Sequence, residues 1–178
     1  MSAKRKVILY IACSLDGYIT APGDNLDFLD MVDSEGEDYG YFRFYKTVDT
    51  IIMGRRTFDW VTRVISGLPH PDKKTFIITR TERPAIGKTS FYTGPLKELV
   101  ESLKHKKGRN IYCDGGAEIV NELLKHNLID EIILSIIPVI LGDGISLFNS
   151  DNKQKKLKLK NSQSYSSGLV QVHYEVLK

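Results

Sequence analysis

The sequence predicts an α/β fold: a sheet with helices on its faces that closes with antiparallel strands. Three observations carry this. Apolar runs of strand length alternate along the chain with segments of helical spacing. Val7–Cys13 is a continuous apolar run, the pattern of a central strand covered on both faces. Lys155–Tyr165 and Leu169–Leu177 instead alternate apolar and polar residues around Ser166-Ser167-Gly168, which is the pattern of a hairpin.

The elements follow in order. Ser14–Asp27, with Gly17, Pro22 and Gly23, reads as a loop. Ser34 to Lys46 reads as a helix, because Tyr39, Phe42 and Tyr45 recur on one helical face. Thr50–Met53 is a short strand, Gly54 opens a turn, and Arg56–Val61 starts a helix. Ile65–Lys74 is a loop containing Gly67, Pro69 and Pro71. Thr75–Thr79 and Ser90–Thr93 are strands. Gly94-Pro95 opens a helix that runs to His105, with the proline in a first turn that needs no N–H from it. Asn110–Cys113 is a strand, Ala117–His126 a helix and Asp130–Ile140 a long strand.

The chain has 178 residues, which suits one domain spanning 1–178. Its hydrophobic fraction of 42% and charged fraction of 26% are those of a soluble globular protein. A net charge of +3 is too small to argue for nucleic acid. Lys153, Lys155, Lys156, Lys158 and Lys160 alternate in part with Leu157 and Leu159, as on the solvent face of an edge strand, where lysines oppose aggregation. Cys13 and Cys113 sit in apolar runs without a C-x-x-C partner and read as buried free thiols in a reducing compartment. The apolar stretch after the basic N-terminus is too short for a signal peptide. Ile132–Leu141, broken by Ser135 and Pro138, is too short to span a bilayer. A cytoplasmic protein that meets small molecules, and neither nucleic acid nor membrane, is expected.

Three strand exits carry groups suited to phosphate. Gly115-Gly116 lies between a strand and a helix, where an anion can approach the backbone and meet unpaired N–H groups at the helix start. Met53-Gly54-Arg55-Arg56-Thr57 also follows a strand and opens a helix. It adds two guanidinium forks and a hydroxyl. Thr79-Arg80-Thr81 follows the strand Phe76-Ile77-Ile78 and suits a ribose 2′-phosphate. Each of the three has a plain alternative as a turn, a solvated helix start or a surface arginine. Together they suggest one extended ligand with several phosphates, and NADPH fits that description. The first strand is followed by no G-x-G-x-x-G, and there is no P-loop and no nucleophile elbow. His70, His105, His126 and His173 are scattered and no metal-ligand spacing occurs.

Ser14-Leu15-Asp16-Gly17-Tyr18-Ile19, Met53–Thr57, Gly115-Gly116-Ala117, Leu128-Ile129-Asp130-Glu131 and Pro138-Val139-Ile140-Leu141-Gly142 resemble, in this order, the dihydrofolate reductase fold. They are more closely similar to its riboflavin-pathway relatives, the C-terminal pyrimidine reductase domain of bifunctional deaminase–reductases and stand-alone homologues. The resemblance implies a mostly parallel eight-stranded sheet with flanking helices, NADPH as hydride donor, and often a homodimer. It implies that Gly54, Arg55, Arg56 and Thr57 hold the pyrophosphate and adenosine side. Thr79 and Arg80 would meet the 2′-phosphate, and Gly115, Gly116, Ala117 and Glu118 would form the second phosphate-binding helix start. Ala12 and Ile19 would border the nicotinamide.

The family's proton-handling carboxylate falls, sixteen residues before Gly54, on Asp38. Phe42 lies one turn on, and the aromatic neighbour is expected to raise the Asp38 pKa. Asp38 also fits a first-turn aspartate held by the helix dipole. Asp16 is the next candidate, with a D-G turn as its alternative. Phe42 and Asp114 fall on the substrate side. The chain departs from the riboflavin pattern where Tyr10 replaces a lysine of the first strand and Asp114 replaces a glutamate before Gly-Gly. The zinc signature of the deaminase half is absent, as is the tryptophan–proline stretch of the folate enzymes. The expected activity is reduction of a pyrimidine- or pterin-like heterocycle. The ribosylaminopyrimidine phosphate of riboflavin synthesis comes first and dihydrofolate second. A non-catalytic NADPH-binding sensor module is the alternative from another class.

Overall fold

The computed structural model describes residues 4–150 and 152–178. Its first strand, β1 (Val7–Ser14), is parallel to β6 (Asn110–Gly115) on one side and to β7 (Glu131–Ile137) on the other. β3 (Val48–Gly54) continues outward from β6, followed by β4 (Lys74–Ile78) and β5 (Thr89–Tyr92), all parallel. Beyond β7, β10 (Val170–Val176) and β9 (Leu157–Ser164) are antiparallel. The sheet order is therefore β5-β4-β3-β6-β1-β7-β10-β9, with β9 on an edge. A second, two-stranded sheet pairs β2 (Tyr18–Thr20) with β8 (Ile145–Ser146).

Alternation along β1 sends Val7 and Leu9 to one face and Ile8 and Tyr10 to the other. The first face packs on α3 (Leu96–His105) and α4 (Ala117–Lys125). In α3, Leu96, Leu99, Val100 and Leu103 recur at helical spacing and are buried; Ile119, Val120, Leu123 and Leu124 do the same in α4. Leu123 is fully buried, and its truncation to alanine would cost about 2–5 kcal/mol. The second face packs on the short α1 (Tyr41–Tyr45) through Phe44, and on a 3-10 helix, Asp27–Val32, through Phe28 and Val32. α2 (Arg55–Ile65) buries Phe58 against Met53 and Ile77.

Polar staples gather where the central parallel strands begin. Buried Arg5 donates to the carbonyl of Arg109 at 2.6 Å and to Thr50 Oγ1 at 2.8 Å, and pairs with Asp49. Burial alone would raise the Glu131 pKa, yet Lys6, Lys160 and His173, at 2.6, 2.9 and 2.7 Å, hold it down at about 2. The opposite, carboxyl ends of the strands are left to Gly54, Thr79 and Gly115-Gly116.

Four expectations change. The helix expected over Ser34–Lys46 is only Tyr41–Tyr45, because Gly36, Tyr39 and Gly40 take positive φ and break it. The loop Ser14–Asp27 contains β2, which finds its partner in the distant β8. The strand expected to reach Ile140 stops at Ile137, ahead of Pro138, which has no N–H for a ladder. In β9 the leucines are exposed along with the lysines: Leu157 and Leu159 retain 43% and 53% of their surface. Among the described residues, no helix is long and apolar enough to cross a membrane.

Candidate functional site

Two helices start at the carboxyl end of the sheet without a side-chain cap. Gly54 stands at the start of α2, and Gly116 at the start of α4. Their first N–H groups therefore remain available to an anion. The two starts converge. A Cβ on Gly116 would lie 3.3 Å from Thr57 Oγ1 and 3.8 Å from Ile19 Cδ1; one on Gly54 would lie 3.5 Å from the Gly116 nitrogen. Gly115, at φ +97°, is joined to Gly116 by a cis peptide bond. Backbone, a hydroxyl and the edge of Ile19 thus form a cradle that side chains at the glycines would fill, which suits a pyrophosphate.

The arginines are less free than their spacing suggests. Arg55 Nε lies 2.7 Å from both Asp59 oxygens, and Arg56 Nη2 lies 2.9 Å from both oxygens of Asp24 in the loop after β2. Arg80 is exposed just past β4 and forms no salt bridge among the described residues. Thr79 Oγ1 accepts the Thr81 N–H at 3.2 Å, which shapes that turn. Beyond it, a cavity of about 540 Å³ is lined by Glu82, Arg83, Pro84 and Phe91 to Gly94. Ala117 is half-buried and Glu118 exposed in the first turn of α4. These residues fit a dinucleotide with a 2′-phosphate.

A second cavity, of about 390 Å³, opens on the other face of β1. Its floor is Tyr10 and Ala12 of β1 with Ser135 and Ile137 of β7, and its wall runs from Leu29 to Tyr41. Tyr10 stacks on Phe44 with centroids 4.7 Å apart and meets Tyr41 edge-on at 5.6 Å. Its hydroxyl donates to the Tyr39 carbonyl at 2.9 Å and accepts from Gln171, which also bonds Ser135 Oγ at 3.1 Å. Burial pushes the Tyr10 hydroxyl up to about 12, so it stays protonated.

Both carboxylates expected to handle the proton prove to be low. Asp38 lies on the cavity wall, but its oxygens accept the N–H groups of Phe42 and Gly40, each at 2.9 Å. These bonds lower its pKa, reversing the expected rise. Phe42, expected beside the substrate, is 67% exposed and outside the lining; Tyr41 takes the inward position. The broken helix explains both, since Asp38 precedes α1 and caps its start. Asp16 accepts from Ser14 Oγ at 2.6 Å, and from the N–H groups of Gly142 at 2.7 Å and Leu141 at 3.1 Å, which hold it at about 2. It is a staple between the β1–β2 loop and the segment after β7.

Asp114 is partnered differently. Tyr112 donates to one of its oxygens at 2.5 Å, and His70 Nε2 lies 3.2 Å from the other. His70 comes from the α2–β4 loop and tilts against Tyr45 at 5.5 Å. Tyr41 joins this group to the cavity, 6.4 Å from Tyr112 and 5.6 Å from Tyr10. His70 was legible only as one of four scattered histidines, since no local pattern signals a partner 44 residues away.

A sheet of this order, with glycine-opened helix starts at its carboxyl end and a cleft on the β1–β7 face, defines an α/β fold of the dihydrofolate reductase type. Dihydrofolate reductase from Enterococcus faecalis, solved with NADP(H), shares it: the TM-score is 0.69 at 17% identity, covering 97% of each chain. The RibD C-terminal domain model matches residues 5–171, and the chain belongs to that family of riboflavin-pathway reductase-like proteins. It is 40% identical over 172 residues to the uncharacterized protein YwjB of Bacillus subtilis, covering 96% of this chain and 98% of that one. A candidate riboflavin biosynthesis protein from Shewanella sp. PV-4 superposes with a TM-score of 0.88 at 29% identity, over 97% of this chain and 99% of its own.

Proposed function

We propose that this protein is a single-domain, cytoplasmic NADPH-dependent reductase of a pyrimidine- or pterin-like heterocycle. One observation carries the reading: the uncapped starts of α2 and α4 converge at Gly54 and Gly116 at the carboxyl end of a sheet whose β1 and β7 also floor a 390 Å³ cleft. The cofactor, when bound, supplies a hydride to a C=N or masked carbonyl carbon. Gly54, Thr57 and Gly116 would hold its pyrophosphate, and Thr79 and Arg80 its 2′-phosphate. Ala12 and Ile19 would border its reactive ring. Tyr10 and Tyr41 offer flat apolar faces to a heterocycle and exclude water from it. Asp38 is ionised near neutral pH, so it would orient a water that delivers the proton rather than donate one itself.

The family resemblance names the riboflavin-pathway ribosylaminouracil phosphate and dihydrofolate, and both belong in the panel beside unphosphorylated heterocycles. The test is NADPH oxidation followed with a panel of pterins and aminopyrimidines, beside direct NADPH titration. Turnover of one member supports the reading. The second reading, a binding module without turnover, is favoured by the low pKa of both Asp16 and Asp38. NADPH binding without oxidation across the panel would select it.

A further inference from the structure

Resting on the reading of the Tyr10 cleft as the substrate site, we infer that its substrate is an unphosphorylated heterocycle, neutral or cationic. The cleft is acidic, whereas the arginines of the cofactor groove are balanced by Asp59 and Asp24. Asp30, Asp33, Glu37 and Asp38 all line the cleft, and no lysine, arginine or histidine does. The resemblance implies a lysine on the first strand, and that position holds Tyr10. Its hydroxyl is occupied by the Tyr39 carbonyl and Gln171, which offers a neutral floor and no cation. Asp38 and Glu37 add to the burial that keeps Tyr10 protonated, so their field reaches the floor.

The other nearby cations are paired elsewhere or lie outside the lining. Arg55 and Arg56 belong to the cofactor groove and are paired there with Asp59 and Asp24. His70 is held by Asp114, outside the lining. Arg43 acts weakly on Asp38 from outside the lining. Asp30 and Asp33 have no side-chain partner among the described residues, so their charge is not cancelled. A substrate phosphate in this cleft would meet carboxylates with no cation in the lining, the kind of mismatch by which a site rejects the wrong ligand. A ring bearing amino groups would find acceptors along the same wall.

The test uses the whole chain and three probes: a protonated diaminopyrimidine, an unphosphorylated ribosylaminouracil, and the phosphate of that same compound. Affinities are measured by calorimetry with and without NADPH, at low and high salt. The phosphate should bind at least about tenfold more weakly than its unphosphorylated form, the factor that about 1.4 kcal/mol represents. The gap should narrow at high salt and in the double variant Asp30→Asn/Asp33→Asn. Equal or tighter binding of the phosphate overturns the inference, as does a gap that the double variant leaves unmoved, or failure of all three probes to bind. NADPH titration reads the parent reading separately. A protein that ignores NADPH but shows the charge gap loses the reductase reading and keeps this one; a protein that binds NADPH without the gap does the reverse.

Discussion

The groove at the exits of β3, β4 and β6 is made of glycines, backbone N–H groups and a hydroxyl, with arginines at its margin. The cleft beside β1 and β7 is made of tyrosines and carboxylates. The groove lies largely within short runs of sequence, Gly54–Thr57, Thr79-Arg80 and Gly115–Glu118. The cleft needs residues as far apart as Tyr10 and Leu169. A phosphate is bound by backbone geometry and positive charge, which a glycine beside a helix start provides almost regardless of what packs nearby. A heterocycle is bound by the shape and charge of side chains that only packing brings together. The first half of such a site can be written in short local runs, and the second half is assembled by the fold. Here the departures Tyr10 and Asp114 both fall in or near the second half.

The largest effect that would break this contrast comes from the groove. Gly116→Val places a branched side chain where a Cβ already lies 3.3 Å from Thr57 Oγ1. NADPH binding should vanish while circular dichroism shows an intact fold. Normal titration by this variant would mean that the two glycine turns only join strand to helix.

Arg80→Ala tests the groove's outer end. Loss of a charge-assisted contact to the 2′-phosphate is worth about 1.5–3 kcal/mol. Preference for NADPH over NADH should therefore fall about tenfold or more, with NADH affinity unchanged. An unchanged preference would move the 2′-phosphate to another residue and leave the pyrophosphate seat standing.

The cleft makes a prediction with a sign. A general acid loses activity as pH rises through its pKa. Asp38 is held low by the Phe42 and Gly40 N–H groups, so it is ionised throughout roughly pH 5 to 8 and should give kcat no falling limb there. Asp38→Asn keeps an acceptor for one of those N–H groups and should lower kcat without moving the pH profile in that window. A falling limb that disappears in Asp38→Asn would restore Asp38 as the donor.

The smallest effect is expected at Phe42. It is 67% exposed, so Phe42→Ala should shift stability by no more than about 0.5 kcal/mol and leave KM and NADPH affinity as they were. Tyr41→Ala, at the neighbouring inward position, should raise KM instead. A KM that responds to Phe42 and not to Tyr41 would reverse the assignment of the wall.

The order of strands and helices was legible in the sequence, as were the closing hairpin and the position of the three turns at the exits of β3, β4 and β6. Each depends on residues within a few positions of one another: the apolar run of β1, the 3-and-4 spacing of α3 and α4, the glycines after β3 and β6. Tertiary structure alone decided the rest. Aromatic spacing over Ser34–Lys46 suggested a helix, but positive φ at Gly36, Tyr39 and Gly40 let Tyr39 turn inward, so its hydroxyl reaches Ser167 at 2.9 Å, 128 residues away. Asp38 looked like a proton donor beside an aromatic ring, yet a carboxyl's pKa follows from the N–H groups that meet it, and those were set by where α1 began. His70 and Asp114 became neighbours only because the α2–β4 loop returns over the end of β6. Local spacing specifies backbone turns, while charge balance and protonation depend on partners brought from elsewhere in the chain, and the chemistry of this cleft rests on those partners.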